Sequence, residues 1–489
     1  MKPVEKIGFA FLLFAFGWGQ GINNYADFEA FQYELSRFGY PSRIIPLNTH
    51  QFAYVEWWEK GMGRPFPGYY VTAMDRNYEE KWFKPIADLK TATPRFLDII
   101  RLHETFGVIL DYPKEKAKQG TYVSFFRLNG DNLGSDLLLS FPTKKNITSR
   151  WRTDENQKRL LWYGYTQEGN RLQLFATVYE GNRFVWQREL PPFSTSVPME
   201  IPDANVTETH DLLCLYTPIY TFDKAHKDTL AKPILQLYNY RTKEVLWDTI
   251  YTIPRLLFPR ILILDRTTAI LTGIAEGRSA TTSLVNRGQE NWYGLFYRKY
   301  DLSRRLAILI DTIFSFPQRV KDSLTEAELL FHASEWYLDA YHANDPNLYF
   351  VLEEAFQRQK VEGNVFFRRH LLLFAIDEKA DTLKWGNVIR KNQRYLGNDH
   401  LLSYTPAFSS IFFHLIYLTE PGAGGVIKLL SINKETGDYV EKVLASNQNS
   451  DFYFFPKRSA QITERAVILM GIGQPNKNAY RLIQVILPP

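Results

Sequence analysis

Cysteine occurs once in the 489 residues, as Cys214. No intrachain disulfide can form, so a disulfide-stapled framework is excluded and a buried core must hold the fold. Cys214 lies in the apolar stretch DLLCLYTPIY (211–220), the setting of a buried structural thiol rather than a nucleophile. Clustered charge of one sign is also scarce. The 58 basic and 53 acidic residues leave a net of +5, and basic pairs such as Lys144-Lys145, Arg304-Arg305 and Arg368-Arg369 are scattered. A nucleic-acid footprint is therefore not indicated, and these charges read as solvated strand faces. Beyond the first twenty residues no apolar run approaches the roughly 20 residues that a spanning helix requires. There is no Gly-x-Ser-x-Gly elbow, phosphate-cradling glycine loop, HExxH or EF-hand loop. The nine histidines stand at no metal-ligand spacing with a carboxylate in support, so neither a metal nor another cofactor is expected.

The N-terminus has a different character. Lys2 and Lys6 flank the start of an apolar run, IGFAFLLFAF (7–16), which is followed by Gly17-Trp18-Gly19. This order matches an export signal over residues 1–19, cleaved between Gly19 and Gln20. No cysteine follows the run to carry a lipid anchor, and no transmembrane segment remains once the signal is removed. Residues 20–42 form an N-terminal segment in which ADFEAFQYELSRF (26–38) has helical spacing and stops at Gly39-Tyr40-Pro41.

Aromatic residues are plentiful at 15%, within 45% hydrophobic residues, a balance that suits strands. They recur in a hairpin of one shape: an alternating apolar strand, a polar turn, and a second strand often carrying Trp. The clearest copies are LQLFATVYEGNRFVWQREL (172–190), LQLYNYRTKEVLWDTIYTI (235–253) and HLLLFAIDEKADTLKWGNVI (370–389), with a relative in YYVTAMDRNYEEKWFKPI (69–86). Eight such units fall near 51–86, 95–141, 155–190, 208–253, 260–314, 327–389, 403–444 and 459–487. Repetition at this spacing predicts an all-β fold, a β-propeller occupying 43–489, with eight blades favoured over seven and two packed sandwiches as the third option. Unit eight ends at Pro489 before its last strand. A missing outer strand would leave an open edge, so an N-terminal strand is expected to close the ring, with RIIPL (43–47) as the choice. Trp82, Trp186, Trp247 and Trp385 share one place in their hairpins and are expected to pack between blades.

Unit six is irregular. An insertion over 327–367 carries AELLFHASEWYLDAY and NLYFVLEEAFQRQ around the turn HANDPN (342–347). Ser323-Leu324-Thr325-Glu326 has the pattern of a capping box that would open a helix there. Residues 347–417 are the most specific stretch of the chain. Glu353, Asp377, Trp385, Ile389, Lys391, Gln393, Ser403 and Tyr404 follow a pattern that resembles a group of uncharacterised exported β-propeller proteins of Bacteroidota. In place of that group's turn glycine stand Ala380-Asp381. The resemblance implies a propeller and export, with a periplasmic or outer-membrane-associated location leading over an extracellular one. It implies no activity.

No catalytic constellation emerges. Glu353 and Glu354 are adjacent, and adjacent strand residues diverge, so they cannot serve together as acid and nucleophile. The candidate binding residues are Glu353, Arg368, Lys391 and Gln393, although for Glu353 a structural ion pair is the stronger reading. Asp-Ser/Thr-aliphatic triplets resemble an O-glycosylation acceptor, with Ser323 and Thr382 in predicted turns as the two best placed. The expected function is a non-enzymatic binding or scaffold propeller of the cell envelope, with a protein or glycan partner. The alternatives are a glycan-active enzyme with carboxylates converging at the axis, and a subunit of an envelope secretion or assembly machine.

Overall fold

Alternation decides how each strand is used. In Asn347–Lys360, Leu348, Phe350 and Leu352 point to one side and pack with Leu262, Ile270 and Leu295, while Tyr349 and Val351 point to the other and meet Phe413, Leu415 and Tyr417. A strand buried on both faces reads as an unbroken apolar run, as in Leu212–Pro218 and Phe412–Leu418. Such strands lie between two neighbouring sheets. The computed structural model describes residues 33–34, 42–58, 67–86, 94–112, 120–138, 148–219, 232–253, 255–278, 291–326, 335–342, 345–360, 363–396, 401–419, 425–446, 452–473 and 479–488.

Eight antiparallel sheets follow one another in chain order and form the blades of a β-propeller. From the axis outward, blade one holds Ile45–Pro46, Gln51–Trp58, Gly68–Asp75 and Glu80–Pro85. The innermost strands of blades two to seven are Arg95–Leu102, Thr148–Thr153, Met199–Val206, Arg255–Ile263, Glu335–His342 and Thr405–Phe408. In blade eight the inner position is shared by Phe452–Phe454 and Ala460–Thr463, on either side of a short 3₁₀ turn, Pro456–Arg458. Each of the eight gaps between blades holds one apolar cluster, including the gap between blades eight and one, where Phe52 and Tyr54 meet Ile468 and Leu482. The ring is closed by packing as well as by pairing.

The closing strand is not the expected one. Tyr33–Glu34 pairs antiparallel with Ala479–Ile486, Tyr33 opposite Leu482, and supplies the outer strand of blade eight. These two residues fall inside the segment expected to be helical, so pairing at an open sheet edge overrides helical spacing there. RIIPL instead begins blade one, Ile45 opposite Ala53. The short turn in which Leu47 N–H donates to Gln51 C=O keeps the two strands side by side. The signal segment, Gly19 and Gln20 lie outside the described residues, as does most of 20–42. Among the described residues no helix is long and apolar enough to cross a membrane.

Blade six departs from expectation in two places. The helix is Gln318–Glu326, so Ser323-Leu324-Thr325-Glu326 ends it rather than opening it, and Ser323 is helical rather than in a turn. Val320 anchors this helix in the gap between blades five and six, and Arg319 Nε donates to Gly386 C=O at 2.6 Å. Downstream, Trp336 and Leu338 are buried while Tyr337 between them is exposed, a period of two that makes Glu335–His342 a strand. The irregularity lies instead in a hairpin that outruns its blade. Strands Asn347–Lys360 and Gly363–Asp377 stay paired to Lys360 and Gly363, and a short fifth strand, Gln393–Leu396, adds to the second of them.

Three of the four Trp positions behave as expected. Trp186 Nε1 donates to His210 C=O and Trp385 Nε1 to Lys434 C=O, each on a turn of the next blade, while Trp82 abuts Gly130 in blade two. Bulges beside Trp82, Trp186 and Trp385 set their direction. Blade four has no such bulge, and Trp247 is exposed, stacked on Phe193 at 5.0 Å. The turn facing Trp385 has no room to change. Gly437 has φ +74°, and an added Cβ would lie 2.6 Å from Trp385 Cγ. Gly437→Ala is expected to cost about 1–3 kcal/mol, read as a lower urea midpoint; a midpoint equal to wild type would refute this packing.

Candidate functional site

A propeller brings residues in or beside its inner strands to the axis, and in blades one to six these residues alternate in charge. Arg43 lies in blade one, Asp98 in two, Arg152 in three, Asp203 in four, Arg260 in five and Asp339 in six. Each reaches the next blade. Arg43 Nε lies 3.1 Å from Asp98 Oδ1 and donates to Ile99 C=O, while Trp151 Nε1 donates to Asp98 Oδ2 at 3.0 Å. Arg152 Nη1 donates to Asp203 Oδ2 at 2.6 Å, and its other arm reaches Glu155 Oε1 at 2.8 Å. Arg260 is 3.5 Å from Asp203 Oδ1 and 3.9 Å from Asp339 Oδ1, and donates to Leu338 C=O at 2.7 Å. Tyr404 of blade seven donates to Asp339 Oδ2 at 2.8 Å. Thr405 Oγ1 then bonds Pro456 C=O, and Ile44 N–H bonds Arg458 C=O, which completes the circuit through blade eight.

Bulges aim three of these side chains. The inner strands shift register just before Asp98, Asp203 and Arg260, and Pro202 and Pro259 sit inside the last two bulges. Proline removes a ladder donor and is tolerated at such a place, where the added twist turns the next residue toward the axis. Asp203 is the hub, with 2% of its side chain exposed, and it also accepts the Ile261 N–H at 2.8 Å. Burial opposes the charge on Arg152, but Asp203 and Glu155 outweigh it and hold the guanidinium protonated. Asp203→Ala is expected to cost about 2–3 kcal/mol by urea denaturation, less than a fully buried pair, because Arg152 and Arg260 can rehydrate. A loss below about 0.5 kcal/mol would show that the circuit does not hold the ring.

A second network lies beside the axis, and it gathers all four candidate binding residues. Lys391 Nζ bonds Glu353 Oε1 and lies 2.7 Å from Gln393 Oε1. Glu353 Oε2 accepts Ser403 Oγ at 2.6 Å and lies 3.6 Å from Arg368 Nη1. Gln393 donates to Ser403 C=O and Leu418 C=O and accepts the Ser403 N–H at 2.9 Å. Ser403 adopts φ 90° to make these contacts. Desolvation pulls the Lys391 ammonium down to about 8 against the pull of Glu353. Desolvation acts in the opposite sense on Glu353, but Lys391 and Arg368 outweigh it and lower the carboxyl. All four residues are buried and largely satisfy one another, so their geometry is that of a brace joining blade six to blade seven. Tyr395 extends the brace by packing against the cluster between blades eight and one.

The remaining candidates stand apart. Thr382 is exposed at the start of the outer strand of blade six, whereas Asp248 and Asp311, which open the triplets Asp248-Thr249-Ile250 and Asp311-Thr312-Ile313, are held by Arg298 at 2.7 and 2.6 Å. Cys214 is buried, and desolvation pushes its thiol up, as expected of a structural residue. Among the described residues no group of three or more His, Cys, Asp or Glu could hold a metal ion. Reading the sequence missed the axial residues. Their only common sign is a charged residue in or just before the inner strands of blades one to six, at offsets that the bulges make unequal.

No family model and no curated protein sequence matches this chain. Among solved structures it is similar to the β-propeller domain of the trilobed protease from Pyrococcus furiosus, at 11% identity and a TM-score of 0.35 over 85% of this chain and 98% of that one. It is also similar to the β-propeller domain of Vanderwaltozyma polyspora Nup133, at 8% identity and a TM-score of 0.39 over 79% and 92%. The polysaccharide lyase Uly1 shares 10% identity and a TM-score of 0.37 over 94% and 99%. Such distant likeness says nothing of activity.

Proposed function

We propose that this chain is a non-enzymatic binding or scaffold propeller of the bacterial cell envelope, with a protein or glycan partner. One observation supports this most. The carboxylates of the axial circuit, Asp98, Asp203, Asp339 and Glu155, already accept bonds or ion pairs from arginine, tyrosine or tryptophan side chains. Glycoside hydrolysis needs two carboxyl groups facing an open cleft, one of them able to give up a proton. A circuit of alternating charges serves instead to lock blades together. The export-type segment at residues 1–19 and the resemblance over 347–417 support an envelope location. Affinity capture of the tagged full chain from its native envelope tests the reading. One partner recovered in stoichiometric amount is the expected result, and a monomer that cleaves polysaccharide would overturn it.

A further inference from the structure

The overlong hairpin of blade six has two unlike faces. Cross-strand partners share a face, so the register of Phe356 with Phe367 and Arg394, and of Arg358 with Val365 and Leu396, sorts the side chains. One face carries Arg368 and Gln393 and turns to the buried brace. The opposite face carries Phe356, Arg358, Lys360, Phe367, Arg394 and Leu396, with Arg358, Lys360, Arg394 and Leu396 exposed. The two phenyl rings stack at 4.5 Å and 10°. Arg358 lies 5.3 and 5.6 Å from their centroids and Arg369 lies 4.9 and 5.9 Å away, so two guanidinium groups are held against one aromatic pair. Among the described residues no carboxylate bonds Arg358, Lys360, Arg369 or Arg394, and Arg369 Nε is buried without a hydrogen-bond partner. Glu354, the acidic residue in the described part of this extension, is buried against His370 Nδ1 at 2.8 Å.

We infer that this face binds a linear acidic polysaccharide through its carboxylate groups, which deepens the proposed function and rests on it. Charge complementarity is the first argument: Arg358, Lys360 and Arg394 share one sheet face and Arg369 lies over the same aromatic pair, with no anion opposed to them among the described residues. Preorganisation is the second. A guanidinium fixed by an aromatic stack forfeits little freedom when it grips a carboxylate with two parallel bonds. Shape is the third. A three-stranded platform repeats its same-face positions about every 7 Å along a strand and about 5 Å across, which suits an extended polymer with regularly spaced anions. The exposed Leu396 side chain offers apolar contact to sugar rings. The phenyl rings are spent on each other and on the guanidinium groups, which leaves no wedge for a lipid surface.

Affinity electrophoresis of the full chain in gels containing polygalacturonate, with neutral galactan as the control, tests this. Retardation by polygalacturonate alone is expected. In Arg358→Gln/Arg394→Gln, whose substitutions lie on the exposed face, it should weaken by about tenfold or more and depend less on salt. Phe356→Leu/Phe367→Leu leaves the charge intact and should also weaken binding, because the guanidinium groups lose their seat. Undiminished binding by either variant, no retardation of the wild type, or tighter binding to polyglutamate or to phosphatidylserine vesicles would overturn the inference. Polymer length is read in the same samples. A shortened polymer would sink the non-catalytic reading and leave the site assignment standing, whereas loss of retardation with unchanged polymer does the reverse.

Discussion

Glu353→Gln is expected to destabilise the folded protein by about 3–5 kcal/mol, seen as a large fall in the urea midpoint. Glu353 is the shared anion of the brace. Its loss leaves Lys391, with 0% of its side chain exposed, beside Arg368 with no counter-charge from residue 353. Neither cation has the access to water that limits the cost at Asp203. Adding Lys391→Met should recover part of the loss, since deleting both members of a buried pair is cheaper than stranding one.

The pH dependence gives an independent check. The folded Lys391 has its pKa depressed to about 8 from the ordinary lysine value of 10.5, so between these limits the unfolded chain holds more protons. Stability from this group therefore rises with pH through that window and is flat below it. Without Glu353 the ammonium is harder to keep charged, and the window widens downward. The deficit of Glu353→Gln should shrink between pH 7 and pH 9. A constant deficit, or one below about 1 kcal/mol, would show that the brace is not an ionised pair.

Acid is expected to weaken the wild type through His414. Burial, aided by the nearby charge of Lys434, lowers this imidazole from 6.5 to about 3. Its ring nitrogens lie 3.0 Å from Ser409 Oγ and 2.9 Å from Ser431 Oγ, partners that suit a neutral ring with one donor and one acceptor. A depressed folded pKa means the contribution is fully present above the unfolded value and is lost as pH falls from 6.5 toward 3. At about 1.4 kcal/mol per unit, stability should drop by roughly 2–3 kcal/mol between pH 6.5 and 4.5 from this residue alone. His414→Gln should be less stable at pH 7 but nearly insensitive to pH across that range, apart from the carboxylates both proteins share. Parallel wild-type and variant curves would refute the assignment.

Much of the architecture was legible before folding was considered. The hairpins at 172–190, 235–253 and 370–389 announce their blades, because strand period and turn chemistry are local. The candidates Glu353, Arg368, Lys391 and Gln393 do converge, yet their spacing says nothing of a buried brace. Ser323 was misplaced because its capping pattern lies in the last turn of Gln318–Glu326 rather than the first. The axial circuit escaped for another reason. Arg43, Asp98, Arg152, Asp203, Arg260 and Asp339 lie far apart in the chain, and bulges change the offset of three of the six within their strands.

The linear order of residues thus specifies eight sheets and their succession, since each blade is built from neighbours in the chain and its alternating faces are written in the apolar pattern. Closure by Tyr33–Glu34 rather than Arg43–Leu47 and the alternating circuit at the axis follow only from the closed ring, and the basic face on blade six follows from the pairing of its fifth strand. Each depends on which backbone edges remain free and which side chains meet across blades. Those are long-range conditions that no window of sequence contains.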